Sequence, residues 1–320
     1  MQVFFGIGSL PQSFQGAVVT LGVFDGLHIA HMEIIRRVIR AAREVQTSSL
    51  MITFDPHPRK VLQQDRDLQL LTTPKEKLKI LDGTDLDGIL FLETNKQLLQ
   101  ISDTDFIHDV LIRHIHPKKI VVGYDYHFGK DRGGNGQLLQ RLGQEAGYET
   151  EIVNPVQLYE HPVRSSLVRK LLRSGNVEQV AAFLGRPYHI CGYVVQGSSR
   201  GWELGFPTAN IAIDSGDKLL PSDGIYLVHL DLQGGMYYGI CYIGRRATFN
   251  EKKLVIENHI LDYPGTDIYG KELEVHFLEK IRNDRKFDSA ESLRKQMIKD
   301  KEYSLQKIKK YQSTNGGSIQ

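Results

Sequence analysis

Cysteine is nearly absent from this 320-residue chain, which has two, Cys191 and Cys241. A disulfide scaffold needs many more, and a cysteine-rich zinc site needs closely spaced pairs, so both classes are excluded. An excess of one charge is missing too, because 40 Lys and Arg face 38 Asp and Glu for a formal net charge of +2. Wrapping a long nucleic acid needs a strong basic footprint, so no nucleic-acid partner is expected; a nucleotide needs only a local site. No apolar run approaches the roughly 20 residues of a membrane span, which removes the membrane as a partner. The stretch Met1–Gln12 lacks the basic segment and small-residue cleavage site of a secretory signal. What is present is ordinary: 41% hydrophobic and 24% charged residues exclude wholesale disorder. At roughly 150 residues per domain, the length corresponds to about two domains. The expectation is a cytoplasmic, two-domain globular protein whose oligomeric state the composition leaves open.

The two halves have different periods. In the first, Ala17–Phe24 is apolar and β-branched like a buried strand, and His28–Val45 follows with apolar residues at helical spacing. Further strands are expected at Ser49–Phe54, Gly88–Leu92, Lys119–Gly123 and Thr150–Val153, with helical patterns between them such as Asp103–His114 behind Ser102. Strands alternating with helices predict an α/β fold with a doubly wound parallel sheet. Ser165–Leu172 and Val177–Leu184 read as two short helices separated by Gly175. From Pro187 onward the runs shorten: Tyr188–Val195, Ile225–Asp231, Met236–Ile243, Leu254–Leu261 and Leu273–Phe277, with a hairpin signal at Gly234-Gly235. Closely spaced strands without helices predict a small antiparallel β-barrel, closed by a long C-terminal helix from Asp288 or Ser289 to about Tyr311. The expected domains are therefore 1–186 and 187–320.

The first strand runs into Gly22-Val23-Phe24-Asp25-Gly26-Leu27-His28-Ile29-Ala30-His31. A glycine-rich strand end leading into a helix puts free N–H groups and a positive helix terminus where doubly wound sheets bind phosphate. His28 and His31 are three apart and share a helical face, where two imidazoles can stabilise charge developing on phosphorus. This stretch resembles the H-x-G-H signature of the nucleotidyltransferase superfamily. The longer pattern resembles the adenylyltransferase half of bacterial riboflavin kinase/FAD synthetases. Three further segments agree in order: Thr53-Phe54-Asp55-Pro56-His57-Pro58, Gly123–Gly129, and Val163-Arg164-Ser165-Ser166-Leu167-Val168-Arg169. Within this sequence Ala30 stands where the family has glycine, and Arg164 where it has serine.

The second half contains Gly205-Phe206-Pro207-Thr208-Ala209-Asn210 after Val194-Val195-Gln196-Gly197. This resembles the G-[FY]-P-T-A-N signature of riboflavin kinases. Ile243–Phe249, Glu257-Asn258-His259-Ile260-Leu261 and a segment around Arg282 and Phe287 resemble later pieces of the same family. The glycine-rich flap is altered here to Gln196–Gly205, with Ser199 and Trp202 replacing a glycine and an arginine.

The resemblance implies a bifunctional enzyme that phosphorylates riboflavin to FMN with ATP, then adenylylates FMN to FAD with release of pyrophosphate, Mg²⁺ serving both steps. It implies a nucleotide and flavin site from Gly22, Phe24, Asp25, Phe54, Pro56, His57, Pro58, Asp125, Ser165, Ser166 and Arg169, with His28 and His31 catalytic. In the kinase half it implies Gly205, Pro207, Thr208, Asn210 and Arg282 at the nucleotide or flavin, Thr208 and Asn210 as Mg²⁺ ligands, and Glu257 as general base. Two other readings compete: a riboflavin kinase whose first half is impaired, motivated by Ala30 and Arg164, and a non-catalytic flavin-binding regulator.

Overall fold

The computed structural model describes residues 1–62, 68–197, 205–247, 252–265 and 267–315. These form two compact units, Met1–Ser165 and Ser166–Gln320. Helices α4 (Ser165–Ser174) and α5 (Val177–Leu184), read from sequence as the end of the first half, thus group almost wholly with the second unit.

The first unit is built on six parallel strands: β1 (Gln2–Phe5), β2 (Val18–Leu21), β3 (Ser49–Asp55), β4 (Gly88–Glu93), β5 (Lys119–Gly123) and β6 (Glu149–Val153). Their spatial order is β1-β4-β3-β2-β5-β6. The edge strand β1 lies outside the sequence expectation because its residues are mostly exposed and carry no buried-strand pattern. Successive residues go to opposite faces of the sheet, as the twofold period of a strand requires. Leu50 and Ile52 join one core with Leu90, Ile120 and Val122, beneath the helical run 103–115 and α3 (Gly136–Ala146). Met51 joins the other with Ile89, Phe91 and Val121, beneath α1 (Ile29–Glu44) and α2 (Pro74–Asp82). Helices on both faces make the doubly wound architecture. After β2 the chain winds toward β3 and β4; β5 and β6 lie on β2's other side. The strand order therefore reverses between β2 and β5, and such a reversal opens a crevice at the strands' carboxyl ends.

In the second unit six strands close into an antiparallel barrel: β7 (Tyr188–Val195), β8 (Ala209–Ile213), β9 (Gly224–Leu232), β10 (Gly235–Ala247), β11 (Lys252–Ile260) and β12 (Glu272–Arg282). The order is β7-β8-β11-β10-β9-β12, and β12 pairs back onto β7. The strand β8 was not foreseen; its five residues overlap the Gly205–Asn210 motif, whose proline and glycine read as a turn. The β9–β10 hairpin turns at Gln233 (φ 51) and Gly234 (φ 82), with Leu232 opposite Gly235, one residue earlier than expected. Tyr188, Tyr226, Val228, Val275 and Phe277 are all buried, and Tyr226 meets Phe277 edge-on at 5.3 Å between ring centroids. The final helix, α6 (Ala290–Asn315), packs Ile308 against Leu227 and Leu261 on the barrel wall. Ser289 accepts from the Ser292 N–H at 3.1 Å, the N-terminal cap expected of it.

Candidate active sites

The loop leaving β2 is held in a strained shape from several directions. Phe24, Gly26 and Leu27 have φ values of 49, 92 and 42°, which cost energy for the non-glycine residues and persist only where neighbours impose them. The buried Asp25 carboxylate accepts from the Leu71 and Thr72 N–H groups at 2.9 and 3.0 Å, and Gly26 N–H donates to Thr72 Oγ1 at 2.9 Å. Lys77 Nζ donates to Val23 O at 2.8 Å and to Thr53 Oγ1 at 2.9 Å. Ser165 Oγ donates to Asp25 O at 2.8 Å, which brings the start of α4 onto the loop. A methyl group on Gly22 would sit 3.0 Å from the Phe24 ring, so a small residue suits that position.

The two histidines follow directly. His28 caps α1, its Nδ1 accepting from the His31 N–H at 3.3 Å, and the two rings stack at 3.6 Å with an interplanar angle of 17°. The Phe24 ring meets His31 edge-on at 5.1 Å. His28 at the N-cap and His31 in the first turn thus stand at the start of a 16-residue helix, where the helix dipole favours an anion.

The other predicted residues of this unit lie at the ends of neighbouring strands. Phe54 is half-buried at the end of β3 and packs on the core beneath the sheet. Asp55 and Pro56 are exposed, and His57 caps a short turn, Pro58–Val61, by accepting from Arg59 N–H at 3.1 Å. Asp125 is exposed after β5, with Arg164 Nε 3.9 Å from its Oδ2, while the Arg164 guanidinium donates twice to Tyr124 Oη. That bond, helped by Asp125, raises the Arg164 pKa. Ser166 and the buried Arg169 follow on α4, beyond the division between the units.

In the barrel, the ladder sets the geometry. Asn210 of β8 is paired with Val195 of β7 on one side and with Glu257 of β11 on the other; Glu257 in turn faces Tyr242 of β10. Directly opposite residues project to the same face, so the Asn210 amide and the Glu257 carboxylate are cross-strand neighbours. Gly197 lies against Asn210 so closely that a Cβ there would be 2.0 Å from Asn210 Nδ2. Pro207 and Thr208 lead into β8, and the Pro207 carbonyl accepts from His259 Nδ1 at 2.9 Å, tying the motif to β11. Burial lowers the His259 pKa, against the opposing pull of that bond. Gly205 has φ 80° at the turn before the motif. Burial, then the neighbouring Glu257 charge, pushes the Cys241 thiol well above its usual range.

Two stretches of the chain's motifs match known proteins along their length. The FAD synthetase family model covers residues 10–167 and the riboflavin kinase model residues 184–308. A protein of Escherichia coli (strain K12) named bifunctional riboflavin kinase/FMN adenylyltransferase is 33% identical over 304 residues, 94% of this chain and 96% of the relative. One of Pseudomonas fluorescens with the same name is 32% identical over 295 residues, covering 92% and 94%. The chain belongs to the bifunctional riboflavin kinase/FMN adenylyltransferase family. A solved structure titled as a macrolide-efflux protein from Streptococcus pneumoniae shares the whole architecture, at TM-score 0.87 and 29% identity over 95% of this chain and 99% of that one. Efflux is said of that protein alone; among the described residues here no helix is long and apolar enough to cross a membrane. Matches across both halves do not favour either reading in which one or both activities are lost.

Within the FAD synthetase half, Lys77 is a buried residue that no sequence motif marks. Nothing in the sequence separates it from Lys75 or Lys79; its burial comes from α2, whose Thr73–Glu76 capping box and Pro74 fix the helix start beside the β2 loop. Burial lowers its pKa to about 8, although Asp25 and Asp55 pull the other way. In the riboflavin kinase half, the sequence motifs that contain Gly197 and His259 assign neither a role. Arg282, expected at the ligand, has its guanidinium engaged by the buried Asp300 of α6, with Nε at 3.0 Å and Nη2 at 2.8 Å from Oδ2. Residues 198–204 of the flap, together with Thr248 and Phe249, lie outside the described residues.

Proposed function

We propose that the two sites work in sequence, the barrel making FMN and the parallel-sheet unit converting FMN to FAD. The observation that carries the kinase assignment is Asn210 paired opposite Glu257, a hard-oxygen ligand beside a carboxylate base. Glu257 takes the proton of riboflavin's terminal ribityl hydroxyl as its oxygen bonds to the ATP γ-phosphorus, and the bond to the ADP oxygen breaks. The donor set fits Mg²⁺: the Thr208 hydroxyl and Asn210 amide supply hard oxygens, and the absence of a Cβ at Gly197 leaves room for the amide. Bound there with the nucleotide, Mg²⁺ offsets phosphate charge. Pro207, fixed in φ and tied to His259, holds the Thr208 turn in place. Gly205 gives the turn its left-handed residue.

In the other unit, a phosphate oxygen of FMN attacks the α-phosphorus of ATP and pyrophosphate leaves. His28 accepts at Nδ1 from the backbone, so its neutral ring carries the proton on Nε2 and donates it to a phosphate oxygen. The stacked His31 and the α1 terminus add to that field. Ser165, Ser166 and Arg169 are assigned to the triphosphate, Phe54 with Pro56, His57 and Pro58 to the flavin wall. Gly22 and Phe24 shape the phosphate loop. Asp25, engaged with Leu71 and Thr72, holds that loop, and Asp125 positions Arg164. The compact units divide at Ser165, ahead of the expected boundary at 186/187, and the two family models leave residues 168–183 between them; we assign the enzyme to the cytoplasm, without a nucleic-acid partner.

The test is a two-product assay with flavin-free protein, ATP and Mg²⁺. Riboflavin should give FMN and then FAD. The His28→Asn and His31→Asn variants should accumulate FMN without FAD. Absence of both products from the unaltered protein would overturn the proposal.

A further inference from the structure

Three neighbouring barrel strands carry histidines and carboxylates in two adjacent rows. His189 of β7 stands opposite His276 of β12, which stands opposite His229 of β9. Two residues along, Glu274 of β12 stands between Cys191 of β7 and Asp231 of β9. Residues two apart on a strand share a face, so these side chains project together, on the face opposite that of Tyr188, Val275 and Phe277.

Their polar atoms converge. His276 Nε2 is 3.3 Å from Glu274 Oε1 and 3.2 Å from Asp231 Oδ2, and His189 Nε2 is 3.6 Å from Glu274 Oε1. The His189, His276 and Glu274 donor atoms all lie within 4.8 Å of one another. His189 and Glu274 are each 5% exposed. Yet His189 Nε2 and His276 Nε2 are buried without a hydrogen bond of acceptable geometry, although buried polar atoms as a rule have one. The His229 ring stacks on His276 at 4.1 Å and 13°, fixing the central imidazole in place.

We propose that His189, His276 and Glu274 form a three-residue site for a divalent transition-metal ion of the Zn²⁺ type, leaving a fourth position for water. A tetrahedral ion bound at about 2.0–2.1 Å sets its donors about 3.3–3.4 Å apart, close to the 3.3 and 3.6 Å that separate Glu274 Oε1 from the two histidine nitrogens. Imidazole with carboxylate suits Zn²⁺, whereas Mg²⁺ takes oxygen donors, so this site is chemically distinct from the kinase site. Its position has a consequence for the fold. β7 and β12 are the first and last strands of the barrel, and an ion shared by His189, His276 and Glu274 staples the seam where the barrel closes.

Flavin-free protein stripped with EDTA, then titrated with Co²⁺, tests this. The expected result is one equivalent bound with the intense visible absorption of tetrahedral Co²⁺, and a thermal midpoint that rises with Zn²⁺ and saturates at one equivalent. His276→Gln and Glu274→Gln should each abolish the band and the midpoint rise, and His31→Asn should keep both. Two conservative variants guard against one failing to fold, and circular dichroism matching the stripped protein verifies folding. No tetrahedral band, a band persisting in folded His276→Gln, or a band lost only in His31→Asn would overturn the proposal.

Discussion

Asn210 and Glu257 face each other across the β8–β11 ladder, 47 positions apart in sequence and one hydrogen-bonded strand apart in space. One supplies an amide oxygen and the other a carboxylate to the same face of the barrel. The reading of Glu257 as general base gives a sharp expectation. Replacing it with glutamine keeps size and shape but removes proton acceptance. The rate of FMN formation should fall by about 10²–10⁴-fold with little change in the riboflavin KM, and conversion of supplied FMN to FAD should be unaffected. Steady-state kinetics with each flavin as starting substrate measures both; an unchanged kinase kcat would remove Glu257 from the mechanism.

Gly197 tests the same pair from the other side. Alanine would place Cβ 2.0 Å from Asn210 Nδ2, so the amide must move. Displacement of a ligand-positioning group by an ångström costs on the order of a hundredfold. Gly197→Ala should therefore lower kinase activity by about that factor and shift the Mg²⁺ dependence to higher concentration, while FAD formation from FMN stays intact. Retained activity at unaltered Mg²⁺ dependence would show that Asn210 does not need its present position.

The Arg282–Asp300 pair is a stability element. Asp300 is 4% exposed and takes both the fork of Arg282 and the Gln296 amide, at 2.8 Å, so α6 is anchored to β12. Removing one partner of a buried pair leaves the other charge uncompensated and costs about 3–5 kcal/mol. Asp300→Ala should shift the urea midpoint of the barrel downward by that free energy, and Asp300→Asn should do so less. A change below about 1 kcal/mol for Asp300→Ala would contradict the anchoring role.

Lys77 makes the stability of the FAD synthetase half depend on pH in an unusual direction. With its pKa lowered to about 8 from 10.5, folded and unfolded chains both hold the proton below pH 8. Between about 8 and 10.5 only the unfolded chain does, so the Lys77 contribution to stability rises with pH across that window. Comparing the unaltered protein with Lys77→Met by urea unfolding at pH of about 7.5 and 9.5 isolates it. The unaltered protein should gain on the order of 1–2 kcal/mol relative to the variant at the higher pH. A constant difference would mean that Lys77 stays protonated throughout.

Much of this protein was readable from residue order alone. Strand β5 and helix α5 fall where their patterns place them, and the apolar period of α1 marks the face that enters the core. The change of period after Pro187 separated an α/β half from a barrel half, because local hydrophobic spacing reports which face an element buries. The motifs around His28 and Asn210 pointed to two nucleotide sites, since such loops need particular residues in a fixed order. Short strands without that spacing escaped notice: β1 is mostly exposed, and β8 sits inside a motif that reads as a turn.

Only the tertiary structure decided which side chains are neighbours. Lys77 becomes a buried cation because α2 docks on the β2 loop, and the helical pattern of its own segment says nothing of that. Arg282 finds Asp300, 18 residues on, because α6 folds back along β12. The row from His189 through His276 to His229 exists through barrel register alone: each histidine is ordinary in its own strand, and closing the sheet on itself brings the three together. Sequence spacing determines faces within an element; contacts between elements follow from packing and register, which depend on the whole chain at once.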